Sequence, residues 1–177
     1  MGDTRPKVRA ALLLSLFLGA CALAPPSPEQ IACLARMEAH AAHLEPGFAA
    51  LGYRPEFRLR LDEDLADGRG FPKGEHILGD ASPGGEIRLR PSRVCGDEVL
   101  ARAVVAHEIS HVALRHRAMP GTGIIVLWEK PPLETAADEL AHAALLRAGG
   151  DPRPAQLVAC WLGRCGKGLP GRGTRGW

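Results

Sequence analysis

Val104-Val105-Ala106-His107-Glu108-Ile109-Ser110-His111-Val112-Ala113-Leu114 sets two histidines and a glutamate inside an otherwise apolar run. Residues four apart lie on one face of a helix, so both imidazoles can reach a single ion at about 2.0–2.1 Å. Glu108, at the adjoining position, projects near that ion and can take a proton from water there. These polar groups are costly to bury unless something pairs with them, and a metal does so. Two surface histidines on an amphipathic helix would be flanked by polar residues instead. With 7 His among 177 residues, an H-E-x-x-H pattern arises by chance in about one or two per cent of such chains, so its surroundings must decide.

Downstream, Glu134-Thr135-Ala136-Ala137-Asp138 lies near the start of a helix predicted over residues 132–148, which Gly149-Gly150-Asp151-Pro152 ends. A catalytic zinc takes three protein ligands and keeps one position open. Glu134 and Asp138 share a helix face, so Glu134 can supply the third ligand. Asp138 can accept the distal N–H of a zinc-bound histidine and fix its tautomer. Acids at a helix N-terminus are also favoured by the helix dipole alone; the upstream motif tips the reading toward ligation. His142, one turn beyond Asp138, is a candidate for holding substrate or stabilising an oxyanion, its bland alternative being a partly exposed helix surface.

His107-Glu108-x-x-His111, then Glu134-x-x-Ala137-Asp138-x-x-Ala141, then Ala148-Gly149-Gly150-Asp151-Pro152 resembles the gluzincin metallopeptidases of the HtpX and CAAX prenyl protease type. The similarity spans residues 56–152. It implies an α+β, zincin-like fold: a small sheet whose edge strand is residues 86–90, the motif helix, and a second, ligand-bearing helix. It also implies one zinc ion on His107, His111 and Glu134, with Glu108 as general base, Asp138 behind a histidine, and peptide-bond hydrolysis as the reaction. The chain departs from that pattern in having only 22 residues between His111 and Glu134. No Asn-Ala-Phe-like element precedes the edge strand, although Gly70-Phe71-Pro72 occupies a similar place.

The remaining elements follow from periodicity. Ser27, Pro28 and Gln30 form a capping-box start for a helix with Ile31, Leu34, Met37, Ala41 and Leu44 on one stripe, expected to end before Pro46-Gly47. His40 and His43 are three apart on it, the pattern of a solvated face more than of a metal site. Residues 56–61 and 86–90 alternate polar and apolar like half-buried strands, with a short strand expected at residues 76–78. A peptide substrate is expected to add to the sheet along residues 86–90. Gly96-Asp97 opens the motif helix, expected over residues 98–117, and a last helix is expected over residues 154–162. Residues 123–128 read as core or cleft wall, and the Gly-rich, basic residues 166–177 as a disordered tail.

The N-terminus carries its own reading. Arg5, Lys7 and Arg9 precede an apolar run at residues 10–20, long enough for an export signal and too short to span a bilayer. Leu18-Gly19-Ala20-Cys21 resembles the lipobox of bacterial lipoproteins, which implies an acylated Cys21 as first mature residue. Residues 21–27 are then the lipidated cysteine and its linker, and residues 28–165 the domain. Ala22 after the cysteine resembles the outer-membrane sorting pattern, giving an exported lipoprotein facing the periplasm. Removing residues 1–20 turns 22 Lys+Arg against 20 Asp+Glu into equal numbers, so nothing suggests a nucleic-acid surface. Cys33, Cys95, Cys160 and Cys165 remain, an even number in an exported chain, which points to disulfides. Proximity favours Cys160 with Cys165, leaving Cys33 with Cys95, but three connectivities stay open. The expected partners are protein or peptide substrates and, through the acyl chain, a membrane. The alternative to a peptidase is a non-catalytic, zinc-stabilised envelope lipoprotein acting as chaperone or adaptor.

Overall fold

The computed structural model describes residues 26–65, 78–116 and 132–164, an α+β arrangement of five helices and one three-stranded sheet. Helix α1 (Pro28–Ala50) begins with the expected capping box: Gln30 N–H donates to Ser27 Oγ at 3.2 Å and Ser27 N–H to Gln30 Oε1 at 2.9 Å. It does not stop at Pro46 but continues another turn. An internal proline costs a helix about 3 kcal/mol. Full burial of a side chain such as Phe48, 1 % exposed, returns about 1.5–3 kcal/mol. Gly47 lets that last turn come close, because a Cβ there would lie 2.2 Å from the Ala144 carbonyl oxygen. The buried stripe is Cys33, Met37, His40, Ala41, Leu44 and Phe48. Ile31 is therefore outside it, at 56 % exposed. His40 is not on a solvated face but buried, with Nε2 2.8 Å from the Glu98 carboxylate.

Strands β1 (Arg58–Leu61), β2 (Gly79–Ala81) and β3 (Glu86–Leu89) lie in the order β1-β3-β2. β1 runs parallel to β3, Arg58 opposite Glu86; β2 runs antiparallel to it, Gly79 opposite Leu89. This corrects the expectation that residues 86–90 form the edge strand. β3 is central, its Ile87 and Leu89 fully buried, and a period of two is the same for a central strand as for an edge. On its other face, Arg88 pairs with Asp80 of β2 and with Asp62 just beyond β1. The third strand lies at Gly79–Ala81 instead of residues 76–78; Leu78 precedes it, and residues 76 and 77 are outside the described residues. Gly70-Phe71-Pro72 and residues 123–128 also fall outside them.

A short helix α2 (Pro91–Val94), not anticipated, leads into α3 (Glu98–Ala113). Asp97 caps α3, accepting from Val99 N–H at 2.9 Å and Leu100 N–H at 3.0 Å. Residues 103–110 are buried without interruption, because α1, α4 (Pro132–Ala148), α5 (Arg153–Trp161) and β2 all pack around this helix. That enclosure explains why α3 has apolar residues on several sides. It ends at Ala113, short of the expected residue 117, because Arg115 turns left-handed with φ 54°.

Cys33 and Cys95 form a disulfide across 62 positions, tying the start of α1 to the turn before α3. Cys160 is also in disulfide linkage; Cys165, its expected partner, lies outside the described residues. No helix among the described residues is long and apolar enough to cross a membrane.

Candidate metal centre

His107 and His111 leave the same side of α3, one turn apart, and α4 brings Glu134 across from them. The two Nε2 atoms are 3.0 Å apart. The Glu134 carboxylate stands 3.2 Å from His107 Nε2 and 3.4 Å from His111 Nε2. Donors bound at about 2.0–2.1 Å in a tetrahedron are about 3.3–3.4 Å from one another. The three side chains therefore match the donor set and spacing of a tetrahedral metal site; their ligand atoms all lie within 4.8 Å of each other. Glu134 is partly exposed and the imidazoles nearly buried, at 38 % against 10 % and 14 % for the side chains, so among the described residues the group is least covered on the carboxylate's side. Burial alone would raise the Glu134 carboxyl, but His107 and His111, when protonated, hold it well below the usual carboxylate range by hydrogen bonds and by charge.

Asp138, one turn along α4 from Glu134, is fully buried and accepts from His107 Nδ1 at 2.6 Å. With the proton held on Nδ1, the Nε2 lone pair faces the centre of the group. Trp161 of α5 stands against this ring, edge to face at a centroid distance of 6.0 Å. Sequence reading gave Trp161 no role, since only the packing of α5 on α3 brings it there.

Glu108 is 6 % exposed and does not belong to the donor group. Burial pushes its carboxyl up to about 6; His107 and His111 pull it down, while Glu134 and Asp80 push further up. Strand β2 passes close to it: a Cβ on Gly79 would stand 3.2 Å from Glu108 Cγ and 2.9 Å from Leu89 Cδ2. A residue without a side chain is thus what lets this strand approach the glutamate.

His142 is not brought into the group. It has no hydrogen bond or ion pair to His107, His111 or Glu134 among the described residues; burial lowers its imidazole, and nearby Arg164 lowers it further. His116, to which the sequence pattern assigns no role, places its Nδ1 3.0 Å from His111 Nδ1. Cys21 lies outside the described residues. Comparison of the chain with protein-family models, with curated proteins and with solved structures found no match.

Proposed function

We propose that this chain is a zinc-dependent endopeptidase of the bacterial cell envelope, with a zincin-like catalytic domain. The observation that carries the reading is the convergence of His107, His111 and Glu134 at metal-ligand spacing, beside a buried carboxylate that is not one of them. A zinc ion held by those three supplies Lewis acidity, polarising a carbonyl and lowering the pKa of water. Glu108 accepts the proton of the attacking water and returns it to the leaving amine. Glu108, buried beside the donor group and not part of it, is placed to take and return that proton. Asp138 keeps His107 in the tautomer that ligation requires.

The substrate-binding strand in this reading is β2, not β3. Ser82 N–H donates to Glu86 O and Arg90 N–H to Leu78 O. By antiparallel alternation, Leu78, Asp80 and Ser82 face β3, so Gly79 and Ala81 turn their N–H and C=O groups outward. No strand pairs with that side among the described residues. An extended peptide adding there would pass over Glu108 beside Gly79. Export as a lipoprotein acylated on Cys21 belongs to the same proposal. The Cys33–Cys95 disulfide supports it, because such bonds persist in oxidising compartments.

The test is zinc content by elemental analysis together with cleavage of an unfolded protein. One zinc per chain, with cleavage lost to a chelator and restored by added zinc, is the expected result. Full cleavage after the metal has been removed would overturn the proposal.

A further inference from the structure

Helix α3 ends in a way that brings a third imidazole to the donor group. Arg115 N–H donates to Val112 O at 3.0 Å and His116 N–H to His111 O at 2.9 Å, around Arg115 at φ 54°. This pair of bonds is a Schellman motif, whose left-handed position is usually glycine. A non-glycine residue held there costs about 1 kcal/mol or more and persists only where its surroundings enforce it. The motif folds the residue two beyond the cap back over the residue three before it, a pair that frequently makes an apolar contact. Here those two residues are His116 and His111. Their rings meet at a centroid distance of 4.9 Å and an interplanar angle of 72°, with the Nδ1 atoms 3.0 Å apart.

The tautomers follow from the geometry. His111 Nε2 faces Glu134 and His107, so a neutral ring that offers that lone pair to an ion carries its proton on Nδ1. That N–H needs an acceptor, and His116 Nδ1 is within hydrogen-bond distance. We infer that His116 is a positioning residue for the metal site, accepting the Nδ1 proton of His111 as Asp138 accepts that of His107. The two ligands of α3 are thus braced from different directions, one by a carboxylate on α4 and one by the closing turn of their own helix. The left-handed Arg115 is the device that delivers the second brace. This inference rests on His111 being a metal ligand, as proposed above.

The test is zinc affinity of the full chain, measured by competition with a chromophoric chelator for the wild type, His116→Ala and His116→Asn. His116→Ala removes the acceptor and is expected to bind zinc about 10- to 100-fold more weakly. His116→Asn keeps an acceptor: its Oδ1 is as many bonds from Cβ as Nδ1 is, so affinity should return to within about threefold of wild type. The 1H–15N imidazole spectrum of the zinc-loaded wild type should give the Nδ1–H tautomer for His111, with an unprotonated Nδ1 on His116. Melting of the zinc-free proteins separates these effects from a loss of fold, and His116→Asn keeps the experiment decisive if the alanine variant is unstable. Wild-type affinity in His116→Ala overturns this inference and leaves the metal site standing. Equal weakness of both variants also overturns it, since the ring would then act by packing and not as an acceptor. A wild type that takes up no zinc overturns the site itself, and this inference with it.

Discussion

Replacing Gly47 with Ala sets two physical rules against each other, and the structure decides between them. Glycine inside a helix is about 1 kcal/mol worse than alanine, so local propensity predicts that Gly47→Ala stabilises the protein. The packing predicts the reverse. The new Cβ would stand 2.2 Å from the Ala144 carbonyl oxygen and 3.0 Å from the Ala148 nitrogen. Both are backbone atoms of α4, so no side chain can rotate away, and the two helices must separate by about 1 Å to restore contact distance. Overpacking of this kind costs about 1–3 kcal/mol, and rigid backbone on the far side puts this site at the upper end. After the propensity gain, a net loss of about 2 kcal/mol remains. For a chain of this size that lowers the melting temperature by about 4–8 °C. Because α4 also carries Glu134 and Asp138, zinc affinity should fall together with stability. Thermal melts and urea titrations of the zinc-free protein, followed by chelator competition, measure both. A variant as stable as wild type, or more so, would refute the close approach of α1 and α4 on which the reasoning depends.

Three further outcomes are expected. Replacing Cys33 and Cys95 with Ser opens a loop closed across 62 positions, and chain entropy puts the loss at about 4 kcal/mol by denaturant titration; an unchanged midpoint would contradict a structural bond. Asp138→Ala removes the acceptor of His107 Nδ1 and should weaken zinc binding by about 10- to 100-fold in the chelator assay, whereas wild-type affinity would mean that His107 needs no such support. Cys21→Ser should shift the protein from the membrane fraction to the soluble one, and a variant still firmly membrane-bound would rule out an acyl chain as the anchor.

The donor group was legible because its chemistry is written at fixed spacing. His107 and His111 one turn apart, and Glu134 with Asp138 one turn apart, need only two helices facing each other, and α3 and α4 do face each other. Ser27 and Gln30 were legible for the same reason, since a capping box is local. What escaped depends on contacts between distant segments. Pro46-Gly47 is a stop signal by local rules, but the burial of Phe48 and the nearness of α4 carry the helix through it. Alternation in Glu86-Ile87-Arg88-Leu89 fixes which residues point inward and is silent on how many neighbours the strand has; the edge position is implied by the family resemblance alone, and β3 lies between two strands. His40 looks solvated by local rules because Glu98, the partner that makes its burial tolerable, lies on another helix. His116 was hidden because an arginine, not a glycine, occupies the left-handed position of its turn.

If, as proposed, Glu108 moves protons while His107, His111 and Glu134 hold metal, Glu108→Gln separates the two roles. The amide has nearly the shape of the carboxylate and no basic oxygen to accept a proton. The three donors are untouched, so the variant should keep its fold and one zinc per chain. Its turnover on an unfolded protein substrate should fall by about 10² or more, the range attributed to general-base catalysis. The measurement is therefore paired on one preparation: zinc per chain, and the rate of cleavage or the ability to complement a strain lacking the protein. Retained zinc with lost turnover is the predicted result; retained zinc with full activity would contradict the peptidase reading and leave a metal-stabilised scaffold in its place.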